Sequence, residues 1–138
     1  LGPENHLLIC NGMFAGTKLT TAHRLSIGAK SPLTGGIKES NSGGTASYQL
    51  AGHGIKMIVL KGLPSSEGFW YLHVDSEGQV SLKDAQDLRE MKNYTFVKTM
   101  QERYGQDVAT ISIGPGGERK YKVASIQITE AGDGHRGR

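Results

Sequence analysis

The chain has 138 residues and a mass of 14.8 kDa, the size of one domain built on one moderate hydrophobic core. Its 20 glycines, about twice ordinary usage, follow no G-X-Y period and stand beside five Tyr, three Phe and one Trp, which excludes collagen-like and fully disordered chains. Sixteen basic residues against thirteen acidic ones leave a net charge of +3 without a run of like charge, a weak basis for nucleic-acid binding.

Residues 6–11 form an apolar run between Pro3 and Gly12, and residues 24–29 place Leu25 and Ile27 on one face, so both are predicted strands. Cys10, the single cysteine, lies inside the first run and reads as a small buried hydrophobe. It allows neither an internal disulfide nor a CxxC metal site from this chain alone. Pro32, Gly35, Gly36, Gly43 and Gly44 interrupt residues 31–45, which are predicted as one long loop. A short helix over 46–51 and a buried strand over 55–60 follow. Residues 69–75 and 79–83 read as a hairpin closed by Ser76-Glu77-Gly78, with Gly78 supplying a positive φ. Asn93 is the predicted N-cap of a helix that carries Phe96, Val97, Met100 and Tyr104 on one face and stops at Gly105. Residues 108–113 and 120–128 are predicted strands around the turn Gly114-Pro115-Gly116-Gly117. The sum is an α+β, sheet-dominated domain of about seven strands and two or three short helices. No apolar stretch approaches the roughly 18 residues of a membrane-spanning helix, and a soluble chain is expected.

No nucleophile–base–acid set, HExxH, GxGxxG or GxxxxGK(S/T) pattern occurs, and His6, His23, His53, His73 and His135 lack metal-ligand spacing. Chemistry gathers instead in Lys30-Ser31-Pro32-Leu33-Thr34-Gly35-Gly36 and Ser40-Asn41-Ser42-Gly43-Gly44. Successive backbone N–H groups in such a glycine-rich segment can cradle an anion, and a helix over 46–51 would add the positive end of its dipole. Arg24, one strand earlier, can reach a phosphate or a planar ring bidentately. From the residues alone, a purely structural hairpin stands equally open. A second cluster, Asp133-Gly134-His135-Arg136-Gly137-Arg138, reads by itself as a solvated tail.

With these motifs the chain resembles the N-terminal domain of the aldehyde ferredoxin oxidoreductase family of tungsten or molybdenum bis-pterin enzymes. The matches run in order along the whole chain: Leu1-Gly2-Pro3-Glu4-Asn5, Thr17, Arg24, Lys30 to Gly35, Ser40 to Gly44, Leu50-Ala51-Gly52, Gly114-Pro115, Gly117-Glu118 and Asp133-Gly134. The resemblance implies a base on which two pyranopterin dithiolenes hold tungsten (or molybdenum), with magnesium bridging their phosphates. Arg24 matches the family arginine at the pterin, which connects it towards the iron–sulfur cluster. Asn41 and Gly43, flanked by Ser42 and Gly44, match the residues at the phosphates and magnesium. Asn41 would act through its main-chain carbonyl, since magnesium prefers oxygen ligands. Arg138 falls on an arginine of the family's C-terminal glycine-rich stretch, with Arg136 as the less favoured register. The link over 12–23 departs from the family pattern, and His23 stands beside Arg24 where a small residue is usual.

By the same resemblance no catalytic residue is expected within these 138 residues. The [4Fe–4S] cluster and its cysteines, and the active-site carboxylate and histidine, are implied for C-terminal helical domains. The implied activity is a cytoplasmic oxidation of small aldehydes to carboxylic acids with ferredoxin as electron acceptor, without nucleic-acid or membrane partners. Opening on Leu-Gly-Pro and ending on Gly-Arg, residues 1–138 read as one cofactor-binding domain truncated at both ends, inactive alone and prone to self-association as a homo-oligomer. The alternative is a non-catalytic scaffold or interaction domain that keeps the fold without the cofactor.

Overall fold

The first two predicted strands pair with each other. In the computed structural model, which describes residues 2–132 and the backbone of 136–137, β1 (Leu7–Asn11) and β2 (Leu25–Lys30) run antiparallel with Ile9 opposite Ile27. Strand β3 (Ile37–Ser42) joins the far side of β2, and β4 (Met57–Leu60) the far side of β1, giving the order β3-β2-β1-β4. The buried strand predicted over 55–60 is corrected: β4 is shorter and, as an edge strand, leaves Met57, Val59 and Leu60 exposed. Alternation turns Leu25 and Ile27 to the inner face, where they bury against Ala46 and Ile128 with Leu7, Ile9, Leu50 and Ile111 packed around them.

Strand β3 corrects the prediction of an unbroken loop over 31–45. Only residues 31–36 turn, and 37–42 form the edge strand of the sheet. Five of its six residues are exposed, so no apolar alternation marks it in sequence. Backbone pairing to β2 holds it instead.

Helix α1 (Thr45–Gly52) follows directly. It is held on three sides: Ala46 enters the core, the Ser47 hydroxyl donates to the Arg24 carbonyl at 2.9 Å, and the Thr45 hydroxyl accepts the Ala131 N–H at 2.7 Å.

A second cluster lies beyond β4. Strands β5 (Trp70–Val74) and β6 (Val80–Asp84) form the predicted hairpin, with Gly78 at φ +80°. After a 3-10 turn at Gln86–Leu88 comes α2 (Asn93–Tyr104). Its Met100 is buried with Ala85 and Leu88, and Phe69, Tyr71, Phe96 and Tyr104 pack around them. The helix ends at Gly105, as predicted, but Lys92 occupies the cap position and Asn93 is already the first helical residue. The other face of the hairpin leaves Trp70, Val80 and Leu82 exposed.

The last sheet has the order β7-β8-β9, from β7 (Thr110–Ser112), β8 (Gln127–Thr129) and β9 (Arg136–Gly137). Three predictions are corrected here. The glycine-rich turn after β7 is a short helix, α3 (Gly114–Glu118), because Pro115 suits a first helical turn. The strand predicted over 120–128 is confined to Gln127–Thr129. Before it Lys120 takes φ +57°, the Ala124 N–H closes a turn on Tyr121, and Val123 stays exposed, so its alternating side chains have no strand to pair with. Strand β7 is likewise shorter than the predicted 108–113. Nine strands and three α-helices among the described residues make the α+β, sheet-dominated domain that was expected. No helix among them is long and apolar enough to cross a membrane.

Between β5 and α2 the Tyr71 and Tyr104 hydroxyls share a hydrogen bond of 2.6 Å, and His73 stacks on the Tyr104 ring with centroids 4.3 Å apart. Burial, and then the charge of Lys83, hold the His73 imidazole below its ordinary value of 6.5. A depressed imidazole binds its proton later in the folded state than in the unfolded chain. Stability from this site is therefore complete above the ordinary value and is lost as pH falls from there towards the folded one. Melting temperatures measured from pH 7.5 to 5 should drop more steeply for the wild type than for His73→Gln, and parallel slopes would remove His73 from the account.

Candidate cofactor-binding cleft

The register of the β2–β3 hairpin brings the predicted site residues together. Leu25 lies opposite Ser42, so one residue further on Arg24 faces Gly43. Helix α1 begins there, and the three meet in an open cleft of about 420 Å³ lined by Thr21, His23, Arg24, Gly43, Gly44, Thr45 and Tyr48.

Arg24 is rigid in its backbone and available in its side chain. Its carbonyl accepts from the Gly12 N–H at 2.8 Å and from the Ser47 hydroxyl at 2.9 Å. Its exposed guanidinium makes no hydrogen bond or ion pair with any described residue. Beside it, His23 accepts the Gly16 N–H on Nδ1 at 3.3 Å and meets the Tyr48 ring edge-on, with centroids 4.9 Å apart. Gly44 caps α1 at φ +110°, and no side-chain hydrogen bond closes that helix end, so the first-turn N–H groups remain for water or a ligand. Glu130 packs against Gly44, 2.8 Å from where a Cβ would stand. A Cβ on Gly43 would meet no protein atom within 4 Å and would project into open space. This cradle, with a guanidinium that no described residue engages and an uncapped helix end, fits an anionic, phosphate-bearing group.

Asn41 sits beside the cleft and not in its lining. Its side chain is committed, accepting from the Ser26 hydroxyl at 2.8 Å and donating to the Glu39 carboxylate at 2.6 Å. Its main chain is not. The Ser31 N–H donates to the Gly36 carbonyl, and antiparallel pairs alternate between bonded and non-bonded types. Counting along the hairpin makes Asn41–Ser26 a non-bonded pair, so the Asn41 C=O faces the open edge of β3, where a hard cation such as magnesium can use it. The Ser42 hydroxyl is buried and donates to the Gly43 carbonyl at 2.9 Å.

The other half of the predicted cradle lies elsewhere. Residues 31–36 close the far end of the hairpin, about 20 Å along a six-residue strand pair. Their hydroxyls serve the turn itself, since Ser31 Oγ accepts from the Leu33 and Thr34 N–H groups and Thr34 Oγ1 from the Gly36 N–H. Arg136 lies in β9 opposite Thr129, while Arg138 and Asp133-Gly134-His135 lie outside the described residues. Sequence reasoning missed Thr21, Thr45 and Tyr48. Thr45 and Tyr48 share one face of α1 at i, i+3 spacing, a signal that exists only once the helix start is placed. Thr21 takes φ +58°, a strained conformation of the kind that recurs at ligand clamps. Among the described residues no group of three or more His, Cys, Asp or Glu side chains can hold a metal ion.

The α+β sheet domain thus carries a cleft that offers a cation and open main-chain N–H groups. Residues 1–138 match the family profile described as "Aldehyde ferredoxin oxidoreductase, N-terminal domain", and the chain belongs to that family. It is 36% identical over 137 residues to the tungsten-containing aldehyde ferredoxin oxidoreductase of Pyrococcus furiosus, covering 99% of this chain and 22% of that protein. The protein of the same description from Thermococcus kodakarensis is also 36% identical, with the same coverage. Among solved structures, a chain of the active-site complex BamBC of benzoyl coenzyme A reductase, in complex with 1,5-dienoyl-CoA, superposes with a TM-score of 0.83 at 26% identity, over 96% of this chain and 20% of that one. The chain thus spans about a fifth of the length of these relatives.

Proposed function

We propose that this domain is the cofactor-binding base of a cytoplasmic tungsten or molybdenum oxidoreductase that oxidises aldehydes to carboxylic acids and passes electrons through a [4Fe–4S] cluster to ferredoxin. The observation that carries the reading is the meeting of Arg24, Gly43 and Gly44 at the open N-terminus of α1, in a chain of this family. When bound, the metal–pterin group supplies the two-electron redox step. The residues of this chain bind and orient it. Arg24 would neutralise and align an anionic edge bidentately, the first-turn N–H groups of α1 would hold a phosphate, and the Asn41 carbonyl would serve as an oxygen ligand for magnesium. The cluster, the residues that touch substrate and the ferredoxin contact are assigned to regions of the relatives that this chain does not span.

Metal and phosphorus analysis of the protein purified from its native host tests the reading. Tungsten or molybdenum at about one atom per chain, with phosphorus in proportion, is the expected result for a resident pterin cofactor. Folded protein without either element, from cells supplied with tungstate and molybdate, would favour a cofactor-free scaffold.

A further inference from the structure

We infer that His23 is a ligand-binding residue of the cleft, donating a hydrogen bond from Nε2 to the anionic group that Arg24 engages. The inference rests on the cofactor reading above and adds to it a residue that sets how tightly this particular cleft grips. His23 is adjacent to Arg24 and lines the same cleft. Its Nδ1 is an acceptor, occupied by the Gly16 N–H at 3.3 Å. In a neutral imidazole whose Nδ1 accepts, the proton sits on Nε2, and that nitrogen makes no hydrogen bond with any described residue. Two features hold the ring in this state. Gly16 lies close beside α1, where an added Cβ would come within 2.9 Å of the Ala51 Cβ, so the helix backs the segment that carries the donor. Tyr48 meets the ring edge-on at 76°, which limits its rotation. The ligand chemistry is a phosphate oxygen, shared between the Arg24 fork and the His23 donor.

Two variants separate the donor from the ring. His23→Phe keeps an aromatic ring against Tyr48 and removes the donor, whereas His23→Gln gives up the ring and keeps an N–H close to the position of Nε2. Both are compared with wild type in the intact protein from the native host. The readouts are tungsten or molybdenum and phosphorus per chain, and the half-life of metal release into EDTA at fixed temperature, with far-UV circular dichroism as a check on folding. Wild type should be loaded, His23→Phe should release metal roughly tenfold faster, and His23→Gln should stay near wild type. Equal retention by His23→Phe overturns the inference while the cofactor reading stands. Fast release from both variants also overturns it, because the ring and not the donor would then matter. Wild type empty of metal and phosphorus overturns the cofactor reading and this inference with it.

Discussion

Arg24→Ala is expected to empty the cleft while leaving the fold intact. The exposed guanidinium makes no hydrogen bond or ion pair with any described residue, so its removal should change stability by no more than about 0.5 kcal/mol. What holds Arg24 in place is its carbonyl, bonded to Gly12 and Ser47, and alanine keeps that. The loss falls on the ligand. A charge-assisted bidentate contact contributes about 1.5–3 kcal/mol, so metal and phosphorus per chain should fall by roughly tenfold or more under limiting supply. Arg24→Lys should be intermediate, because an ammonium keeps the charge and loses the planar fork. Full occupancy in Arg24→Ala at an unchanged melting temperature would show that the cleft is not where the anion sits.

Gly44→Ala should instead damage the fold at the same place. At φ +110° an L side chain is strained by about 1–2 kcal/mol. The added Cβ would also stand 2.8 Å from Glu130 Oε1 and 2.9 Å from its Cγ, an overpacking of about 1–3 kcal/mol. The combined cost, about 2–5 kcal/mol, should lower the melting temperature by several degrees. The two parts can be told apart. Gly44→Ala made in a Glu130→Ala background should recover the steric share and keep the backbone share, a coupling that a double-mutant cycle measures directly. Additive effects would mean that Glu130 moves aside at no cost.

Most of the architecture was legible where side chains carry it. The apolar runs around Ile9 and Ile27, the hairpin turned by Gly78 and the helix ended by Gly105 all stand where pattern and turn chemistry put them, while the run around Ile58 forms its strand at an exposed edge instead of in the core. Illegible segments were those whose structure lies in the backbone. Ile37–Ser42 is polar on nearly every position and becomes a strand only because β2 offers it a ladder. Residues 121–126 have strand-like side chains and remain irregular, since no neighbouring strand reaches them.

The site divides along the same line. The sequence by itself determined the family, through motifs whose order and residue types are specific, and it singled out Arg24, Asn41, Gly43 and Gly44. Only the tertiary structure decided how they are arranged. Hairpin register sets Arg24 across from Gly43, the alternation of the ladder turns the Asn41 carbonyl outward while its side chain is spent, and the 31–36 turn is carried away to the other end. Residue types report what chemistry a segment can do, but hydrogen-bonding groups within one motif are joined or parted by strand pairing, a long-range contact that no local pattern encodes.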